Sequence, residues 1–261
     1  MGKNFIFVSG CPRSGTTVLT HVLNWSDLAF IGQERYAALF NSMPEKFKPV
    51  LFSRERFFDF QQGDCAFNDF ISNGEYSAWY ANKKEEEDFG RAEIYGDKIT
   101  NLYSNFKVFD NPGWEQANIQ IVHSIRNLFD VAASYQTRML NPKDGWHHDY
   151  IKAISDWIES VEKIHDSLQV TDRKFNLHFV NYDSLFNGDL SVFLSAARRI
   201  YSMLSLDFSQ QNEDGMKLLF DAGMKRVTMR KNYPGLAEDL RERVPESTLK
   251  KYQALIELSI C

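Results

Sequence analysis

The sequence predicts an α/β fold in three layers, with helices on both faces of a central parallel sheet, in a single domain of residues 1–261. Three stretches point there. Residues 5–9, "FIFVS", form a short apolar run that ends in Gly10 and gives way to the helical pattern "TTVLTHVLNW". Residues 119–125, "IQIVHSI", pass through "RNLF" into a second helical pattern, "DVAASYQTRML". Residues 175–183, "FNLHFVNYD", precede a third, "LSVFLSAARRIYSML". Short unbroken apolar runs mark strands buried on both faces, and strands alternating with helices pack as a parallel sheet.

The remaining elements follow from periodicity. Ile151, Ile154, Ile158, Val161, Ile164 and Leu168 recur at helical spacing and predict a helix over 148–168 that turns this stripe to the core. The tail "VPESTLKKYQALIEL" opens on Pro-Glu-Ser and predicts a final helix. Between the first two strand-helix units lies a long stretch rich in Phe and Tyr, whose most polar part, "KKEEED" at 83–88, reads as a solvated helix face or loop. The sequence carries no repeat, low-complexity tract or domain linker.

Composition narrows the function. Hydrophobic residues make up 43% and charged residues 25%, with 21 Phe, which predicts a substantial core. A net charge of −5 argues against a dedicated nucleic-acid binder, since such proteins gather a basic excess against phosphates. Cys11, Cys65 and Cys261 are odd in number and far apart, which fits neither a disulfide framework nor a zinc site and points to a reducing, cytoplasmic location. No apolar run approaches the roughly 18 residues of a membrane span, and "MGKNFIFVSG" is too short before its turn for a signal peptide. His147 and His148 are adjacent, a poor arrangement for one metal, and His123 lies inside an apolar strand, where it reads as core.

The turn after the first strand carries the chemistry. In "GCPRSGTT", Gly10 and Gly15 are separated by four residues, the spacing of a phosphate-binding loop, so the fold is expected to be P-loop-like. Such a turn points backbone N–H groups into one concavity, and the helix that follows adds a partial positive charge. Thr16 stands where a nucleotide triphosphatase has its lysine, and the strand ends offer only Asp183 towards a magnesium site. Transfer without a metal, with arginine and lysine supplying the charge, fits these residues better.

The same loop resembles the 5′-phosphosulfate loop of sulfotransferases that use 3′-phosphoadenosine 5′-phosphosulfate (PAPS), especially the form found in tyrosylprotein sulfotransferases and related bacterial enzymes. The segment "RNLFDVAASYQTR" is similar to that family's 3′-phosphate motif, with Arg126 at a strand end, Ser134 eight residues on and Arg138 four beyond. Ser134 and Arg138 share a helix face, so the three can converge on one phosphate. The resemblance implies a PAPS donor held by Arg13, Ser14, Gly15, Thr16, Thr17, Arg126, Ser134 and Arg138. It implies no metal.

The resemblance also assigns roles. Glu34 in "IGQERY" resembles the Gly-Glu-Glu segment that carries the catalytic base, with Gln33 replacing the first acidic residue. Taken alone, Glu34 reads as a surface or helix-start glutamate. Lys98 in "YGDKITNLY" is similar to a Gly-Asp-Lys stretch whose lysine approaches the transferred group, although alone it reads as an exposed turn lysine. Arg13 would be its partner in stabilising the transition state. Tyr182 in "VNYDSL" resembles a nucleotide contact, and Arg230 and Lys231 in "RKNYPG" loosely resemble an Arg-Lys-Gly segment, with Asn232 in place of the glycine. Three or four charge-assisted hydrogen bonds of about 1.5–3 kcal/mol each would hold a multiply charged nucleotide at micromolar strength after association costs.

The expected partner is a hydroxyl acceptor: a small molecule, a saccharide or a peptide tyrosine. The net charge gives no encouragement for acidic peptides, while "FFDF" at 57–60 and "FNDFISNGEYSAWY" at 67–80 read either as core or as the lining for an apolar or aromatic alcohol. The reading leaves room for a homodimer. Two alternatives stay open, a magnesium-dependent phosphotransferase with an unusual loop and a nucleotide-binding module without catalysis.

Overall fold

The computed structural model describes residues 3–65, 86–186, 189–227, 233 and 236–260, with side chains left aside at 223–227. In chain order the elements are β1 (Asn4–Gly10), α1 (Thr16–Asn24), β2 (Ala29–Gln33), α2 (Ala37–Ser42), α3 (Arg54–Phe58), α4 (Glu86–Arg91) and β3 (Ile94–Lys98). There follow β4 (Asn118–Ile125), α5 (Leu128–Met139), α6 (Tyr150–Ser167), β5 (Asn176–Asn181), α7 (Tyr182–Leu185), α8 (Leu190–Met203), α9 (Gln210–Val227), α10 (Leu236–Arg243) and α11 (Glu246–Glu257). The five strands pair in parallel in the order β2-β3-β1-β4-β5, with helices on both faces, so the fold is the expected three-layer, P-loop-like one.

Alternation along β1 separates the two faces. Ile6 and Val8 pack against Leu19, Val22 and Leu23 of α1 and Phe193, Ala197 and Ile200 of α8. Phe5 and Phe7 face the opposite layer, where Phe47, Phe52, Phe109 and Trp114 surround them. Their rings meet edge-on or tilted, with Phe5–Trp114 centroids at 4.9 Å and Phe7–Phe109 at 5.3 Å, the arrangement that ring quadrupoles favour. Each such buried ring contributes about 1.5–3 kcal/mol through area alone. The same face continues under α5, α6, α10 and α11, where the expected stripe of α6 buries Ile154, Val161 and Ile164.

Two of the five strands, β2 and β3, escape a reading by pattern. Their sequences, "AFIGQ" and "IYGDK", mix apolar residues with Gly, Asp, Gln and Lys, which are poor strand formers, and tertiary pairing overrides that preference. Gly96 shows why. A Cβ built there would lie 1.7 Å from the Ile6 carbonyl oxygen, so only glycine lets β3 lie this close to β1. Phe57 of the "FFDF" segment is core rather than acceptor lining, packed among Phe30, Tyr36 and Phe89. Residues 67–80 lie outside the described residues. Glu86, Glu87 and Asp88 form the first turn of α4, as its polar reading expects. Among the described residues no helix is long and apolar enough to cross a membrane.

His123 is a core residue. It points from β4 between Ser9 and Ser160, whose hydroxyls lie 3.3 and 3.4 Å from its two ring nitrogens, and burial lowers its pKa from the usual 6.5 to about 3. A histidine that stays neutral when folded but charges when unfolded stabilises the fold fully above pH 6.5 and loses that contribution as pH falls towards 3. The predicted consequence is that a shift from pH 7 to pH 5 removes about 2 kcal/mol of unfolding free energy through this group. Urea unfolding of the wild type and of His123→Leu at both pH values isolates it, since the leucine variant should lack this part of the slope.

Candidate active site

Parallel pairing sends all five strands to one edge, and each delivers a candidate residue there. The loop of Arg13 follows β1, Glu34 follows β2, Lys98 ends β3, Arg126 follows β4 and Tyr182 follows β5. Register fixes their order across the edge. Val8 and Gln33 lie opposite Lys98, Gly10 lies opposite Ser124, and Ile125 lies opposite Asn181. Outside the carboxyl ends of such a sheet is where open α/β folds bind ligands.

The loop is built to leave donors available. Gly15 stands at the head of α1 with φ 94°, and α1 has no side-chain cap and no acidic residue in its first turn. In contrast, Asn127, Asp149 and Asp189 cap α5, α6 and α8. An uncapped helix start facing a concavity favours an anion. Among the described residues the buried Ser14 hydroxyl has no hydrogen-bond partner, while the Ser14 carbonyl accepts from the Ser124 hydroxyl at 2.6 Å. Gly15 is obligatory for a second reason, because a Cβ there would fall 2.0 Å from the Tyr182 ring.

The predicted arginines gather around this loop. Arg13 Nε donates to the Ser134 hydroxyl at 3.0 Å, and Arg126 Nη1 donates to the Arg13 carbonyl at 2.9 Å. The Arg126 guanidinium lies 4.6 Å over the Tyr182 ring, with Asp130 and Asp183 at 3.8 and 3.7 Å, and among the described residues its buried Nε has no hydrogen-bond partner. Arg13 is exposed along one side yet hemmed in by protein on the other. Desolvation there first, then repulsion from Arg138 and Arg126, lowers its pKa. Arg138 turns to Asp144, which accepts from it twice at 2.7 and 2.6 Å, and that pairing holds the Asp144 carboxyl below the usual range. Arg13, Ser134 and Arg126 therefore converge, whereas Arg138 is occupied by a carboxylate.

Lys98 is not the exposed turn lysine that its local sequence suggests; it ends a central strand with its side chain 4% exposed. Its ammonium bridges the two halves of the site, 3.3 Å from the Thr17 hydroxyl and 2.8 Å from Glu34 Oε1. Glu34 is partly open to solvent and sits at φ 58°. Arg13, at φ 70°, shares this left-handed backbone, a conformation that costs a non-glycine residue about 1–3 kcal/mol and concentrates at functional positions. Thr16 is buried in the first turn of α1. Arg230 and Lys231 lie outside the described residues. Their neighbour Tyr233 shares a 2.8 Å hydrogen bond with Thr137 on α5, next to Arg138.

Sequence reasoning missed the supports. Asp97, fully buried, accepts from the amides of Arg35 and Tyr36 at 3.1 and 2.8 Å. Burial raises its pKa to about 7 against the opposing pull of those amides and of the Lys98 and Arg35 charges. Arg35, also fully buried, pairs with Asp64 at 2.8 Å. The Gly-Asp-Lys stretch was the available signal for Asp97, whereas nothing in sequence links Arg35 to Asp64.

A family model described as the sulfotransferase family matches residues 6–210. The chain belongs to the sulfotransferase family. Among solved structures, the sulfotransferase domain from the curacin biosynthetic pathway is similar at TM-score 0.51 and 14% identity over 99% of each chain, a likeness that bears on the fold alone. The sulfotransferase domain from the Synechococcus PCC 7002 olefin synthase gives TM-score 0.49 at 19% identity, covering 98% of this chain and 95% of that one. Mouse sulfotransferase SULT7A1 complexed with PAP gives 0.44 at 13%, covering 97% and 82%. A search of curated protein sequences found no match.

The sulfotransferase loop makes a direct test available. Gly15→Ala meets both a positive φ and the Tyr182 ring, and should cost at least about 1–2 kcal/mol of stability. Chemical denaturation reads it, and an unchanged midpoint would show that the loop is not packed as described.

Proposed function

We propose that this sulfotransferase moves a sulfuryl group from PAPS to a hydroxyl acceptor without a metal ion. The observation that carries the reading is the bridging ammonium of Lys98, within hydrogen-bond reach of both the anion loop at Thr17 and the carboxylate of Glu34. A cation there stands between donor and acceptor sides. It also engages the hydroxyl that a nucleotide triphosphatase would give to magnesium.

The residues present fit the donor. The Ser14 hydroxyl and Arg126 Nε are buried polar groups without a hydrogen-bond partner among the described residues, and the guanidinium of Arg13 is crowded by like charge, which a bound dianion would relieve. Arg13, Ser14, Gly15, Thr16 and Thr17 would hold the 5′ end. Arg126, Ser134 and, after release from Asp144, Arg138 would hold the 3′-phosphate, with Tyr182 beside the nucleotide. PAPS supplies the activated sulfuryl group.

In the transfer Glu34 accepts the proton of the acceptor hydroxyl while the oxygen of that hydroxyl forms the new bond to sulfur. The bond from sulfur to the bridging oxygen breaks with its electron pair remaining on the 5′-phosphate, and Lys98 and Arg13 neutralise the charge that gathers there. The buried thiols of Cys11 and Cys65 fit a reducing, cytoplasmic setting. The acceptor class spans small molecules, saccharides and peptide tyrosine.

Calorimetric titration in the presence of a chelator, and again with magnesium, tests the donor. The bisphosphate product PAP should bind at micromolar strength and ATP should not; magnesium-dependent ATP binding with indifference to PAP would overturn the reading. Glu34→Ala and Lys98→Ala should keep PAP affinity within a few-fold while lowering turnover by about 10²–10⁴. Undiminished turnover in both variants would remove them from the chemistry.

A further inference from the structure

The reaction described above leaves unexplained why a buried carboxylate sits directly behind the general base. Asp97 is 0% exposed, lies beside Lys98 on β3, and points to the face opposite the Lys98 side chain. Its two oxygens are divided between consecutive amides, Oδ1 taking Arg35 N–H and Oδ2 taking Tyr36 N–H. Glu34 immediately precedes them, and its own N–H donates to the Lys98 carbonyl at 2.9 Å. Three successive amides, 34 to 36, are thus fastened to two successive residues of β3.

The side chains beyond are fastened as well. Arg35 Nε donates to the Phe57 carbonyl at 2.8 Å and Nη1 to Asp64, and Tyr36 Oη donates to the Leu51 carbonyl at 2.5 Å. Glu34 is left between a strand in register and a clamped turn, in a backbone conformation that an unrestrained glutamate would leave. From that conformation its carboxylate reaches the Lys98 ammonium at 2.8 Å.

We infer that Asp97 is a positioning residue, which by holding the Arg35 and Tyr36 amides fixes the left-handed turn at Glu34 and so keeps the Glu34 carboxylate against Lys98. The catalytic consequence rests on the reading of Glu34 as the base; the structural part does not. A burial cost this large at a carboxylate is retained where two oriented acceptors are needed on adjacent amides, which neither asparagine nor alanine can supply.

Amide hydrogen exchange followed by NMR tests the structural part in the absence of any acceptor. In Asp97→Asn, exchange at Glu34, Arg35 and Tyr36 should accelerate at least ten-fold, with Thr17 to Leu23 of α1 and the PAP affinity unchanged within two-fold. Unchanged exchange at 34–36, or equal acceleration throughout β1 and β4, overturns the inference. Turnover then tests the consequence, read as sulfation of 2-naphthol, or as PAPS hydrolysis with water as acceptor if the naphthol is not sulfated. Asp97→Asn should lower kcat at least ten-fold with the KM for PAPS held within two-fold, and adding it to Glu34→Gln should cause no further loss. Wild-type kcat in Asp97→Asn beside an impaired Glu34→Gln sinks the inference, as does a multiplicative loss in the double variant. Wild-type kcat in Glu34→Gln sinks the reading of the base instead and leaves the exchange result to judge Asp97. Asp97→Ala serves as the second variant should the asparagine amide rearrange the turn without loosening it.

Discussion

The parallel ladder joining β1 to β3 on one side and β4 on the other is the constraint from which the site derives. It sets Val8 opposite Lys98 and Gly10 opposite Ser124, so the loop after β1 is flanked by a lysine strand end and an arginine strand end. The partners in each of these pairs are about 90 and 114 positions apart in sequence. The phenylalanine-rich layer behind β1 matters for the same reason, since Phe5 and Phe7 anchor the strand whose end must not move. A close-packed interior transmits small displacements, so core volume and site geometry are coupled.

Charge in the site runs against the sign of the whole chain. The protein is net acidic, yet Arg13, Arg126, Arg138 and Lys98 share one sheet edge. Carboxylates hold three of them: Asp144 takes Arg138, Asp130 and Asp183 flank Arg126, and Glu34 takes Lys98. Arg13 is held by the neutral hydroxyl of Ser134. A cation cluster neutralised in this partial way keeps its field for a multiply charged ligand while limiting self-repulsion, and the clustering itself raises the local concentration of anions. Glu34 is the counter-ion to Lys98 in this structure, and in the proposed transfer it is also the acceptor for a hydroxyl proton.

What the sequence reveals and conceals follows from the range of each interaction. The loop 10–17 and the segment 126–138 are legible because their spacing is local: a turn, a helix start, and two residues one helical turn apart. The strands β1, β4 and β5 are legible as apolar runs. β2 and β3 are not, since Gly96, Asp97 and Lys98 owe their extended conformation to neighbours on either side rather than to their own preference. The occupation of Arg138 by Asp144 arises from a loop fold six residues on, and the Arg35–Asp64 pair bridges 29 positions, so neither leaves a pattern along the chain. Lys98 marks the boundary. Its motif was readable, but its burial and its bridge from Thr17 to Glu34 required the assembled sheet.

In the proposed function, guanidinium groups at this edge, Arg126 foremost, recognise the 3′ end of the donor while the loop of Arg13 holds the 5′ end. The most direct measurement is the ratio of the dissociation constants of 5′-AMP and adenosine 3′,5′-bisphosphate, determined side by side for the wild type and Arg126→Met. With this recognition the wild type should prefer the bisphosphate by at least ten-fold, and the variant should lose the preference while still binding 5′-AMP. A preference that survives the substitution intact would contradict it.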